Sequence, residues 1–335
     1  MAYGSVSPLI WVLTDDRPGN TTQALGVAEA LGLPFSEKKV EYDSLAVLPN
    51  ILRGATMVGV SSQSRSVLLG PPWPDLVIAA GRRLAPVSRW IRRVAHKPVR
   101  LVHLMNPGRV RAGAFDLIAV PRHDGALPGG EWDNVLRVTG APHRFSRITR
   151  EVEAEAWRNT LSGLPRPYIA LLVGGATRHR PFPADYAGDL GRRVAEMARS
   201  AGGSVLLATS RRTGADAERA LDAAIPEPRS AYFWSRGGEN PYFGFLALAD
   251  AVVVTGDSVS MCSEACATPG PVYIDAPAKL TAEKHRILHS ELYSMDYARP
   301  FIDSKLAMWT HPPLNAAVEI AAAIIHLLKT PIAVS

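Results

Sequence analysis

The chain has 335 residues, 47% of them hydrophobic and 20% charged, with a formal net charge of +6. That composition belongs to a globular protein and excludes a disordered or fibrous one. The length exceeds what a single core of roughly 250–300 residues holds, so two domains are expected, and no stretch reaches the ~18 uninterrupted apolar residues of a membrane span.

In chain order, residues 1–8 carry no basic region, and the apolar run 9–13 is too short for a signal peptide. That run is expected to be a buried first strand, followed by a helix over 22–31. Strands are expected over 76–79, 99–104, 117–120 and 135–138, with a helix over 86–95 among them. The alternation breaks between about 140 and 151, where an acidic-led helix is expected to start near Glu151. It then restarts with strands over 168–173, 204–209, 231–234, 251–255 and 271–274, and with helices such as 184–201, 242–248 and 259–267. A last helix, 315–329, is apolar over much of its surface and must pack on something. Continuous apolar strands bounded by helices imply parallel sheets covered on both faces. The fold class expected is α/β, with two Rossmann-like domains facing each other across a cleft, and ligands beyond the carboxyl ends of the strands.

The strand-to-helix loops are therefore the places to search. Thr14 to Gln23 follows the first strand. Gly19 permits a tight turn, and Asn20 or Thr21 can cap the coming helix. Asp16 and Asp15 are the candidate general bases, since a carboxylate can take a proton from an acceptor hydroxyl. A polar turn whose acids only cap and solvate is the alternative. Gly81, Arg82 and Arg83 end another strand, where glycine admits a ligand and arginine can hold phosphate. From Arg82 to Arg122 there are ten basic residues, Arg109 and Arg111 among them, and one acid, Asp116. Trp90, Ile91 and Val94 interleave with these bases. Such a surface suits anionic lipid or an anionic acceptor, or is merely solvated. Nucleic acid is disfavoured, because aromatic stacking platforms are not evident.

In the second half, Gly174 and Gly175 end a strand, and Thr177, Arg178, His179 and Arg180 follow. Two glycines allow a phosphate close to the backbone, and the bases add charge. Ser210 and Arg211, with Arg212 and Thr213, offer hydroxyls and cations at what reads as a helix start. Asn240 before Pro241 reads as an N-cap with proline at the first helical position, which needs no ligand to explain it. The richest loop runs from Thr255 to Ala265. Asp257, Ser258, Ser260 and Met261 open a helix whose free N–H groups suit a diphosphate without a metal. Glu264 lies over a turn further on, where it can accept ribose hydroxyls. No dinucleotide or P-loop fingerprint is present, which argues against an epimerase of the dinucleotide kind, and Gly-x-Ser-x-Gly is absent. Cys262 and Cys266, one helical turn apart, are ill placed to bridge. They read as small buried residues, and a two-cysteine chain fits a reducing cytoplasm.

Three stretches carry a family likeness. They are Thr255 to Met261 with Ser263-Glu264-Ala265, Glu239 to Gly244 with Leu246 to Asp250, and Arg17 to Asn20 with Gln23 to Gly26. Together they resemble the bacterial branch of the elongated-mitochondria fission-factor family, which is described as glycosyltransferases. That family is similar in turn to GT-B glycosyltransferases, including the N-acetylglucosaminyltransferase of cell-wall lipid II synthesis. The resemblance implies an acceptor-side domain over residues 1–145 and a nucleotide-sugar domain over 146–310. A C-terminal segment, 311–335, would pack back on the first domain. It implies a diphosphate near Gly174, Gly175 and Ser258 to Ser260, and a ribose near Glu264. The cell-wall enzyme has a Gly-rich first loop with a His, whereas this loop has one Gly and Asn20, leaving Asp16 or Asp15 as substitute bases. The expected activity is metal-independent transfer from a nucleotide diphosphate sugar, a co-substrate rather than a cofactor, to a hydroxyl of an envelope glycolipid or lipopolysaccharide. The expected place is the cytoplasm, peripheral on the inner face of the inner membrane. A non-catalytic adaptor that keeps the fold is the alternative, because the plant branch is named for recruiting a fission machine.

Overall fold

The computed structural model describes residues 7–43, 53–68, 70–108, 112–127, 130, 132–178 and 180–330. Arg109, Arg111 and His179 lie outside the described residues. The chain divides into two compact units, one of residues 1–144 with 316–335 and the other Phe145–Asn315.

Unit 1 runs β1 (Ile10–Thr14), α1 (Pro18–Ala30), β2 (Phe35–Lys39), α2 (Ser62–Leu68), β3 (Leu76–Ala80), α3 (Ala85–Val94), β4 (Arg100–Leu104), β5 (Leu117–Pro121) and β6 (Val135–Val138). The strands form one sheet in the order β2-β1-β3-β4-β5-β6, paired in parallel throughout. Every residue of β1 and β3 is buried, as continuous apolar runs in a parallel sheet require. β2 was not anticipated. Its sequence, Phe-Ser-Glu-Lys-Lys, lies on the sheet edge with its side chains half-buried or exposed, and charge on an edge strand discourages further pairing. Helix α1 begins at Pro18 rather than near residue 22, with Pro at its first position and Arg17 as an N-cap without a side-chain bond. Asn20 and Thr21 are thus inside the helix and cap nothing.

Unit 2 runs α4 (Arg147–Leu161), β7 (Tyr168–Val173), α5 (Ala184–Ser200), β8 (Ser204–Thr209), α6 (Ala215–Ala224), β9 (Arg229–Tyr232), α7 (Tyr242–Leu248), β10 (Ala251–Thr255), α8 (Val259–Ala265), β11 (Val272–Asp275), α9 (Glu283–Ser294) and β12 (Arg299–Pro300). Its sheet order is β12-β11-β10-β7-β8-β9, again parallel. Helix α4 starts four residues before Glu151, because Ser146 accepts the Thr149 N–H at 3.1 Å and caps it. Strand β9 sits two residues earlier than expected. Both cysteines are free and buried. The final helix, α10 (Ala316–Lys329), belongs to unit 1. Its Ala316, Ala317, Ile320, Ala321 and Ile324 share a core cluster with Ala24, Val27 and Ala28 of α1.

Each sheet reverses its direction of growth once. In unit 1 the reversal lies between β1 and β3, and in unit 2 between β7 and β10. The carboxyl edge of the sheet at such a reversal is the place where open α/β sheets bind ligands.

Candidate functional site

At the unit 2 reversal, the loop after β7 is tied on three sides. Gly174 N–H donates to Thr255 Oγ1 at 2.8 Å, and Gly175 N–H donates to Asp257 Oδ2 at 2.8 Å. The Gly174 carbonyl accepts from Ser210 Oγ and, at 2.7 Å, from Thr213 Oγ1. Arg212 pairs with Asp257 Oδ2 at 2.8 Å and donates to the carbonyls of Gly175 and Ala176 at 3.1 Å each. Gly175 has φ +140°, and a Cβ there would meet the Arg212 carbonyl, while a Cβ on Gly174 would meet the Asp257 carboxylate. The close approach that glycine permits is thus an approach of protein to protein. Residues 210–213 form a turn rather than the expected helix start, since α6 begins only after Gly214. Arg178 and Arg211 are exposed and make no ion pair among the described residues. Arg212, by contrast, is already neutralised.

The loop after β10 meets this turn through Asp257. Ser258 caps α8 weakly, accepting the Met261 N–H at 3.4 Å. Ser258, Ser260 and Met261 are half-buried. Helix α8 is seven residues long, and Glu264 on it is only 6% exposed. Burial raises the Glu264 pKa to about 7, against a lowering by the hydrogen bond from Tyr242. That bond, Tyr242 hydroxyl to Glu264 Oε2, is 2.6 Å long. Asn240 is exposed and its Oδ1 accepts the Tyr242 N–H at 3.1 Å, so it steadies the same tyrosine. Pro241, not Asn240, occupies the N-cap of α7.

Sequence reasoning missed the buried acids around these loops. Asp275, at the end of β11, is 4% exposed, accepts from Tyr186 at 2.5 Å and pairs with Arg193 at 2.9 Å. Glu218 is 3% exposed and accepts from Thr209 at 2.6 Å and from Ser235. A cavity of about 10 Å³, room for one water, is lined by Gly175, Phe182, Tyr186, Asp257, Asp275 and Thr281. Asp257 Oδ1 is buried without a hydrogen-bond partner. Only spacing from a strand end could have hinted at Asp275, and nothing local points to Glu218.

At the unit 1 reversal, Asp15 is 6% exposed and accepts the Arg17 N–H at 3.1 Å through Oδ1, while Oδ2 is buried without a partner. Burial raises its pKa, opposed by the Arg17 N–H and aided by Asp16. Asp16 is exposed and holds Arg83 at 2.6 Å. Gly19 opens α1 with free space beside it, whereas Gly81, at φ +82°, lies against the Asn20 side chain. Gln23 is buried with Oε1 unpartnered, and Arg82 is exposed. The basic stretch beyond is largely spent on unit 1 itself. Asp116 takes Arg92 at 3.2 Å and Arg100 at 3.0 Å, and Asp75 takes Lys97 at 2.7 Å. The apolar residues between them face inward rather than outward: Ile91 is fully buried, and Trp90 packs edge-on against Trp73.

The family model described as Mitochondrial fission ELM1 matches residues 18–328. A curated relative, Mitochondrial fission protein ELM1 of Arabidopsis thaliana, is 31% identical over 75% of this chain and 63% of its own length. The chain thus spans less than two thirds of that relative. Uncharacterized protein RP120 of Rickettsia prowazekii is 27% identical over 96% of this chain and 98% of its own. Among solved structures, UDP-GlcNAc 2-epimerase from Methanocaldococcus jannaschii aligns over 96% of this chain and 99% of its own, with TM-score 0.54 at 11% identity. The UDP-GlcNAc 2-epimerase from Neisseria meningitidis, solved with UDP-GlcNAc bound, gives 0.53 at 11% identity, covering 96% of this chain and 100% of its own. At such identity the likeness is one of fold.

Proposed function

The chain belongs to the Mitochondrial fission ELM1 family, and we propose that it transfers a sugar from a nucleotide diphosphate sugar to a hydroxyl acceptor. One observation carries this reading. The half-buried Ser258 and Ser260 and the exposed Arg178 and Arg211, which make no ion pair among the described residues, all stand on loops after β10, β7 and β8 at the carboxyl edge of one sheet. Hydroxyls and cations on strand-end loops suit a diphosphate leaving group, and fixed charges there stabilise it as it departs. In this reading unit 2 holds the donor through Gly174, Gly175, Thr177, Arg178, Ser210, Arg211, Asn240, Asp257, Ser258, Ser260 and Met261, with Glu264 at the ribose. The UDP-GlcNAc 2-epimerases of similar fold support a uridine nucleotide as the first donor to try.

Acceptor roles fall to unit 1, to Gly19, Asn20, Gln23, Gly81 and Arg82. Asp15 is the better base of the two acids. Burial raises its pKa and its Oδ2 has no partner among the described residues, whereas Asp16 must first release Arg83. The acceptor in this proposal is an envelope glycolipid or lipopolysaccharide at the inner membrane's cytoplasmic face. No helix among the described residues is long and apolar enough to cross a membrane.

The test is titration calorimetry with uridine and guanosine diphosphates. Binding of at least one is expected, together with roughly ten- to hundredfold weaker binding in Arg211→Ala, since a charge-assisted bond contributes about 1.5–3 kcal/mol. If neither diphosphate binds, the transferase reading is lost. A second reading, a non-catalytic adaptor, is favoured by the amides of Gly174 and Gly175 being already engaged by Thr255 and Asp257. Glu264→Ala separates the two, because it disables a transferase and spares an adaptor.

A further inference from the structure

Three polar atoms in unit 1 are buried without a hydrogen-bond partner among the described residues in one neighbourhood: Asp15 Oδ2, the Tyr42 hydroxyl and Arg53 Nη1. Asp15 is 6% exposed and Arg53 is 2% exposed. Val40 N–H donates to the Thr14 carbonyl at 2.8 Å and brings the chain around Tyr42 beside the end of β1. There the Tyr42 ring lies near two guanidinium groups, Arg83 at 4.6 Å and Arg53 at 5.9 Å from its centroid. Arg53 is held in place by Nε and Nη2, which donate to the Val58 carbonyl at 3.2 and 2.9 Å, leaving Nη1 over. The charges of Asp15, Arg53 and Arg83 all act on the Tyr42 hydroxyl. Buried polar groups in native proteins are nearly always satisfied, so three such orphans together call for a guest.

We propose that Asp15, Tyr42 and Arg53 bind neighbouring hydroxyls of a sugar, so that the acceptor seen by unit 1 is a saccharide rather than a phosphate headgroup. The description of this ligand as an acceptor rests on the transferase reading above. The chemistry follows from donor and acceptor capacity. Arg53 Nη1 only donates, an ionised Asp15 only accepts, and the tyrosine hydroxyl does both. A sugar hydroxyl also does both, and adjacent hydroxyls on one ring present donors and acceptors side by side. A phosphate would satisfy Arg53 and Tyr42 but would set Asp15 Oδ2 against a second anion, with Asp16 close by.

Ligand-observed NMR with methyl glucoside, methyl galactoside and methyl mannoside tests this on the full chain, with inorganic phosphate followed by phosphorus NMR. At least one glycoside is expected to bind, and Tyr42→Phe and Asp15→Asn are each expected to weaken it about three- to tenfold. A urea midpoint and slope equal to those of the parent chain show that the variants are folded. Glycoside binding that depends on Tyr42, with no nucleotide bound, removes the transferase reading and leaves the sugar site standing. Three results overturn the sugar site: no glycoside bound, binding indifferent to both substitutions, or phosphate bound in a manner that Tyr42→Phe abolishes.

Discussion

Gly175 shows how little freedom the loop after β7 retains. Its positive φ disfavours any side chain, and a Cβ would strike the Arg212 backbone. Gly175→Ala should therefore cost about 3 kcal/mol. For a unit of this size that lowers the melting temperature by roughly 2–4 °C per kcal/mol, measurable by calorimetry. An unchanged melting temperature would mean that the loop yields. Glu264 gives a second measurement. Its folded pKa, about 7, stands above the ordinary carboxylate value near 4.5. The folded state therefore binds more protons across that window, and stability must fall as pH rises from about 4.5 through 7. The size is on the order of 3 kcal/mol. Glu264→Gln should flatten this slope in denaturant titrations at a series of pH values, and a slope equal to that of the parent would show that Glu264 is not the group responsible. The glycine-and-hydroxyl loops at 174–177 and 255–264 were legible in the sequence because strand ends announce themselves. The Arg212–Asp257 pair, buried Glu218 and the Tyr42–Arg53 set were not, because each joins residues that only the tertiary fold brings together.

The elements themselves were legible where burial dictates them. Strands β1, β3, β7, β8 and β10 read as continuous apolar runs because both faces of each are covered. β2 and β12, at sheet edges, carry no such pattern and went unread. Helix starts were displaced where a cap competes with a stronger signal. Pro18 preset α1 before Asn20 could cap it, and Ser146 set α4 before Glu151. Ser146→Ala should cost about 1 kcal/mol, seen as a lower midpoint in urea with an unchanged slope. Helix α10 is a stronger case. Ile320 is fully buried against the α1 side of the sheet, so Ile320→Ala should cost about 2–5 kcal/mol. A loss below 1 kcal/mol would mean that α10 is not part of the unit 1 core.

At the scale of the whole molecule, each unit carries its own parallel sheet, its own cores and its own reversal of strand order. A ligand that binds at one reversal must therefore order the loops of that sheet first. The proposed function places the nucleotide on unit 2, at the carboxyl edge of the neighbouring strands β7 and β10. Hydrogen exchange with and without uridine diphosphate reads this directly, since binding to the native state slows local opening of the segments it touches. Protection should appear in residues 174–178, 210–213 and 256–264, and the segment 15–23 of unit 1 should exchange as in the free protein. The reverse pattern, with protection at 15–23 and none after β7 and β10, would move the nucleotide to the other sheet. Ser258, Ser260 and Arg211 would then be no more than the dressing of a turn, and Asp15 would face a diphosphate rather than a hydroxyl. A buried carboxylate with an unpartnered Oδ2 and a second acid, Asp16, beside it is poorly suited to that neighbour, which is why the protection is expected on unit 2.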